Sequence, residues 1–113
     1  MTEARLTVVI PTYDREAVLL ETLRLLLDLP DRADEILVLD QTEVHEAETE
    51  RRLREWNETG LVRWLRLARP SIPVSMNEGL RQARSELVLF LDDDVVPHSG
   101  LLEAHRKAHE EEG

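Results

Sequence analysis

The chain has 113 residues, no cysteine and a formal net charge of −10. That length suits one domain with a real core, no apolar run approaches a membrane span, and the opening MTEARLTVVIP lacks the charged start and long apolar stretch of a secretory leader. The acidic balance argues against nucleic acid and anionic membrane surfaces as partners, while the lack of cysteine removes disulfides, thiolate nucleophiles and cysteine zinc sites and fits a reducing compartment.

In chain order, RLTVVI (residues 5–10) is a β-branched apolar run ended by Pro11. Asp14 is placed to cap a helix running through REAVLLETLRLLLDL to Pro30. DEILVLD is a second strand, with Asp40 at its end. EVHEAETERRLREWNE is a charged helix with a thin apolar stripe of Val44, Ala47, Leu53 and Trp56, and Gly60 stops it. LVRWLRL is a third strand, SIPVSMNEGLRQAR a third helix started by Ser71 and Pro73, and ELVLFL a fourth strand. Ser99 opens a last helix, GLLEAHRKAHEEE.

Strands alternating with helices imply a parallel sheet with right-handed crossovers. Strands one, two and four read as continuous apolar runs, as strands covered on both faces do. The expected architecture is a Rossmann-like, three-layer α/β/α domain with strand order 3-2-1-4.

In open α/β sheets, ligands bind beyond the carboxyl ends of the strands. Those ends read PTYD, DQT, ARPS and DDDVVP in turn. Acidic and polar residues therefore collect at one edge. The triplet Asp92, Asp93, Asp94 directly follows a buried apolar run, and nothing cationic lies in the ten residues after it. Hard cations prefer carboxylate oxygens, and Mg²⁺ takes only one or two of them, with phosphates and water completing its shell. On an extended chain Asp92 and Asp94 point one way and Asp93 the other. A dication would relieve the repulsion between the outer pair and bridge to a diphosphate, leaving Asp93 to turn away toward a helix start. The competing reading is a solvated acidic turn. Asp40 likewise reads either as a ligand contact or as a cap for the next helix. His105 and His109, four apart, read as a solvated helix face, and Trp56 and Trp64 as core or rim packing.

FLDDDVV resembles the signature of haloacid-dehalogenase-like phosphatases, but that motif opens its fold and needs a lysine and further acids after it. A receiver domain matches in length but lacks its acidic pair here. VVIPTYDRE, EILVLDQT and SMNEGLRQARSELVLFLDDDVVP together resemble, in order and spacing, the nucleotide-binding half of a family 2 glycosyltransferase with the GT-A fold. That resemblance implies a nucleoside-diphosphate-sugar donor and Mn²⁺ or Mg²⁺. It puts Pro11, Thr12 and Tyr13 around the nucleobase, Asp40 on the base, and Arg69 near the nucleotide. It puts Asp94 on the metal, and Asp92 on the ribose or as a second metal contact, with Asp93 beside them on the nucleotide. Gln41 and Thr42 stand where the family more often has an Asp/Asn-Gly-Ser turn. Met76 stands in place of an arginine, and Ser85 in place of a glycine, so the turn at Ser85 is expected to avoid positive φ.

The resemblance covers nearly the whole chain but ends before the family's acceptor site and catalytic base. The expectation is therefore a truncated, N-terminal donor-binding part that binds nucleotide without transferring sugar. It would be cytoplasmic, or at the cytoplasmic face of the membrane in a longer parent, and able to self-associate through the surface left uncovered around strand four. A non-catalytic α/β binding module is the alternative from another class.

Overall fold

A computed structural model of the chain describes residues 5–30, 32–67, 72–98 and 100–112, the side chains at 72–76 and 109–112 apart. The elements run β1 (Leu6–Thr12), α1 (Ala17–Asp28), β2 (Glu35–Asp40), α2 (Ala47–Thr59), β3 (Arg63–Arg66), α3 (Ile72–Gln82), β4 (Leu87–Phe90) and α4 (Leu101–Glu112). The four strands form one parallel sheet in the order β3-β2-β1-β4. This is the α/β architecture that the alternation of strand and helix implies, in the expected strand order.

Side chains alternate across each strand, so a continuous apolar strand feeds two cores. Leu6, Val8, Ile10, Ile36, Val38 and Leu87 pack on one side with Leu19, Leu23 and Leu26 of α1, Leu53 of α2 and Leu102 of α4. Val9, Leu37 and Leu39 form the other core with the half-buried Leu65, Val88 and Phe90. Helix α3 covers that second face, and it does so at very short range. A Cβ on Gly79 would stand 2.8 Å from Val9 Cγ1 and 3.3 Å from Leu39 Cδ1. A glycine in mid-helix costs about 1 kcal/mol relative to alanine, so here close packing sets the choice.

Three boundaries have plain causes. Pro11 lies inside β1, in register with Leu39, and does not end the strand. The Val9 carbonyl accepts from the Leu91 N–H at 3.0 Å, so residue 11, two further on, also faces the β4 side. Pairing with β4 stops at Val9, and the missing N–H of proline interrupts nothing. Gly60 ends α2 at φ 81°, with its N–H bonded to the carbonyls of Asn57 and Trp56. Ser85 is not among the positive-φ residues, as its replacement of glycine suggests.

Helix α1, by contrast, begins later than expected, and Asp14 does not cap it. Glu16 occupies the cap position, and no side chain bonds to the first turn. Asp14 instead adopts φ 54°, a left-handed conformation that aspartate tolerates better than most residues. Strand β4 has β1 on one side only and is half-buried beyond Leu87, so it is an edge strand in this sheet.

Candidate functional site

The acidic turn follows β4 at the carboxyl edge of the sheet. Asp92 and Asp94 are exposed, and Asp93 is half-buried. The Thr12 hydroxyl, at the end of β1, donates to Asp93 Oδ2 at 2.7 Å. Arg15 Nε lies 3.5 Å from Asp93 Oδ1, and its Nη2 lies 3.8 Å from Asp94 Oδ2. The buried Thr22 hydroxyl of α1 faces two carbonyls, Asp93 at 3.1 Å and Val95 at 3.0 Å. Asp93 thus faces Thr12 and the segment before α1, and it shares Arg15 with Asp94. The cation that offsets part of the repulsion is Arg15, from the loop after β1. A search restricted to nearby sequence misses it.

Beside this turn, the loops after β1 and β2 wall an open cleft of about 580 Å³, lined by Tyr13, Asp14, Gln41, Thr42, Glu43 and Arg66 among others. The two loops are bonded to each other. The Gln41 N–H donates to the Thr12 carbonyl at 2.9 Å, and the Asp14 N–H donates to Thr42 Oγ1 at 2.8 Å. Arg66 Nη2 reaches across from β3 to the carbonyls of Thr42 at 3.1 Å and Glu43 at 2.8 Å. Its guanidinium sits 5.4 Å from the Trp64 ring centre. Tyr13, 52% exposed, is one of the residues that line this cleft.

Asp40 is placed differently. It is 0% exposed and does not line the cleft. Its Oδ2 accepts from Trp64 Nε1 at 2.8 Å and meets His45 Nε2 at 2.5 Å, while Oδ1 accepts from the Thr42 N–H at 3.0 Å. On the far side of the ring, His45 Nδ1 lies 2.7 Å from Glu16 Oε2. Glu16 Oε1 in turn accepts from the Glu46 N–H at 2.6 Å. Ionised carboxylates only accept hydrogen bonds, so an imidazole between two of them must carry a proton on each nitrogen. Burial works against the charged ring. The bonds to Asp40 and Glu16 outweigh it and hold the His45 pKa above its ordinary value. Burial likewise pulls Glu16 up, but the Glu46 N–H, the His45 ring and Thr49 together hold it below the ordinary carboxylate range. The result is a carboxylate–imidazolium–carboxylate chain, buried at Asp40 and His45 and half-buried at Glu16, that ties the start of α1 to the loop after β2.

The structure therefore brings Pro11, Thr12, Tyr13, Asp92, Asp93 and Asp94 to one edge and puts the Asp40 carboxylate beneath it. Arg69 lies outside the described residues. His45, Glu16 and Trp64 escaped sequence reading: the Trp64–Asp40 and His45–Glu16 contacts span 24 and 29 residues, and the local His45–Asp40 contact, five apart, carries no motif. Among the described residues, no three His, Cys, Asp or Glu side chains cluster tightly enough to cage a metal ion. Two exposed carboxylates of hard-oxygen type are what a cation shared with a phosphate group needs from the protein. The exposed carboxylates of Asp92 and Asp94 are of the donor type that Mn²⁺ or Mg²⁺ takes, and would leave the rest of its shell to ligand oxygens and water.

The family model for glycosyl transferase family 2 matches residues 7–113. A search of curated proteins found no match. Among solved structures, the chain is similar to the mannosyltransferase PcManGT from Pyrobaculum calidifontis, determined with GDP-Man and Mn²⁺. The identity is 25% and the TM-score 0.75, over 93% of this chain and 32% of that one. It is similar in fold to S. aureus TarS, at 24% identity and TM-score 0.70, over 96% of this chain and 20% of that one. The glucosyl-3-phosphoglycerate synthase of Mycobacterium tuberculosis, determined with Mn²⁺ and UDP, matches at 24% identity and TM-score 0.62, over 84% of this chain and 36% of that one. The chain thus spans roughly a fifth to a third of these longer proteins.

Proposed function

The chain belongs to glycosyl transferase family 2, and from that premise we propose that its carboxyl sheet edge holds a nucleoside-diphosphate sugar with Mn²⁺ or Mg²⁺, as the donor-binding part of an inverting glycosyltransferase. One observation carries this reading. Residues 81 positions apart, Thr12 and Asp93, are joined by a 2.7 Å hydrogen bond that locks the acidic turn beside the Tyr13 cleft. That bond supports a reading in which a base site and a metal-phosphate site lie side by side.

In this reading the base enters the cleft and packs on Tyr13. Gln41 and Thr42, which line the cleft, offer it polar contacts. Asp40 acts from below by fixing the loop that carries them, since its own oxygens face His45, Trp64 and the Thr42 N–H. Asp92 reaches the ribose or the cation, and Asp94 the cation. Asp93 is the anchor that sets the turn. The bound dication would neutralise charge on the diphosphate leaving group. Arg15, beside Asp93 and Asp94, would lend a second positive charge at the same place. We assign the acceptor site and the base that deprotonates the acceptor hydroxyl to the further length that the relatives carry. The 113-residue segment by itself is then expected to bind donor without turnover.

Thermal unfolding tests the binding claim. At ten times Kd a ligand adds about 1.4 kcal/mol, roughly 5–10 °C for a domain of this size. Mn²⁺ with UDP or with GDP should produce such a rise, and Asp94→Ala should remove it. No rise with any nucleoside diphosphate would leave only a binding module of another kind.

A further inference from the structure

The opposite edge of the sheet carries a second cleft, of about 460 Å³, at the amino ends of the strands. Arg5, Arg32, Arg63 and Arg84 line it, over an aliphatic floor that includes the half-buried Leu27 and the exposed Leu61. This placement is unusual for the molecule. Outside the cleft, every described basic side chain lies within 4.0 Å of a carboxylate: Arg15, Arg24, Arg51, Arg52, Arg54, Arg66, Arg81, Arg106 and Lys107. Arg63 also has a partner, Glu35, at 2.8 Å. Among the described arginines and lysines, the three in no ion pair are Arg5, Arg32 and Arg84, and all three line this one cleft.

The carboxylates in the cleft wall do not neutralise them. Asp34 Oδ2 is taken by the Leu6 N–H at 2.7 Å and by Arg106 at 2.8 Å. Glu35 Oε2 is taken by Arg63 at 2.8 Å, and its Oε1 accepts from the Thr7 hydroxyl at 2.9 Å and the Arg84 N–H at 3.0 Å. Burial pulls the Glu35 carboxyl up, and those three donors hold it below its ordinary value. The ends of α1, α2 and α3 also approach this edge, with their partial negative charge. Three helix ends bring roughly −1.5 charge together, and less once solvated, against three full positive charges. A positive balance remains, in a protein whose net charge is −10.

We propose that this cleft is a second binding site, for a phosphate-bearing small molecule, independent of the metal-dependent donor site. Guanidinium forks match phosphate oxygens in pairs, and the aliphatic floor suits an apolar body attached to the phosphate. Phosphate on a lipid headgroup would present the same chemistry.

The test is titration of the 113-residue chain with inorganic diphosphate in EDTA, which disables any metal-dependent site. Binding is expected in the wild-type chain, weakening about tenfold with each of Arg5→Gln, Arg32→Gln and Arg84→Gln. All three side chains are exposed, so these variants should fold. Arg51→Gln, which removes a paired arginine on α2, should leave the affinity unchanged. Vesicles containing phosphatidic acid identify the source. Binding that the triple variant loses puts the phosphate on a lipid, and soluble diphosphate binding without vesicle binding puts it on a free molecule. No diphosphate binding in EDTA, or equal binding by wild type and triple variant, would overturn the site whatever the outcome with Mn²⁺ and nucleotide.

Discussion

Asp40 and His45 lie 2.5 Å apart, carboxylate to imidazole, with both side chains fully buried. A buried ion pair need not stabilise more than an apolar pair would, but removing one member leaves the other charge uncompensated. His45→Ala should therefore lower stability by about 3–5 kcal/mol, the range for a broken buried pair, while Asp40 and Glu16 lose their shared partner. Denaturant unfolding checks this. A loss within experimental error of zero would mean that the chain of contacts from Glu16 to Trp64 holds nothing together.

The same group sets the response to pH. His45 has a raised pKa, so its contribution is fully present below the ordinary value of 6.5 and fades as pH rises through the raised one. Glu16 has a lowered pKa, so its contribution is full above 4.5 and fades as pH falls through the lowered one. The network is therefore strongest between pH 4.5 and 6.5. Unfolding free energy measured against pH should show an alkaline-side decline in the wild type that His45→Gln flattens. An unchanged slope in that variant would assign the decline elsewhere.

Asp40 also gives a prediction about recognition. Its oxygens are bonded inward, so Asp40→Asn should weaken binding of UDP and GDP with Mn²⁺ by similar factors, through the loop carrying Gln41 and Thr42. Calorimetry with both nucleotides separates the possibilities. A loss confined to one base would put the Asp40 side chain on the base itself.

On the other face of the sheet, Gly79→Ala is expected to destabilise in spite of the better helix former. The added methyl would meet Val9 Cγ1 at 2.8 Å, on a stiff β-branched side chain in the central strand. Overpacking costs about 1–3 kcal/mol, against about 1 kcal/mol gained in helix propensity. A lower melting temperature with the fold retained is the expected result. A higher one would mean that α3 shifts away from the sheet at no cost.

Self-association is a further expectation. Strand β4 pairs only with β1, and its outer edge and half-buried Val88, Leu89 and Phe90 are unclaimed by any other strand of the described sheet. Sedimentation at rising concentration should show dimers or larger species. A clean monomer at high concentration would show that the edge is protected.

Much of this was legible from sequence because local rules and global fold agree. The apolar runs of β1 and β2, the helix stop at Gly60 and the alternation of strand and helix lead to the observed parallel α/β sheet, while the order β3-β2-β1-β4 is expected only together with the family resemblance. Asp93 is expected to point toward a helix start, and it meets Thr12 and Arg15, but within a turn and sharing Arg15 with Asp94 rather than by the alternation of an extended strand. What escaped reading depends on loops meeting in space. Asp14 looks like a helix cap but is pulled into a left-handed turn, its N–H held by Thr42. Arg15 reaches the acidic turn from some 80 positions away. Trp64 reads as packing, yet its indole N–H is committed to Asp40, 24 residues earlier. His45 carries no motif at all, and only the docking of α1 beside the second loop gives it a second carboxylate, Glu16, besides Asp40.

The most direct measurement is calorimetric titration of the chain with UDP and with GDP, with and without Mn²⁺, in the wild type and in Asp92→Asn and Asp94→Asn. The donor-site account predicts binding of at least one nucleotide that strengthens with Mn²⁺, and a metal-dependent part that Asp94→Asn abolishes and Asp92→Asn weakens. Nucleotide binding indifferent to Mn²⁺ and to both substitutions would contradict it.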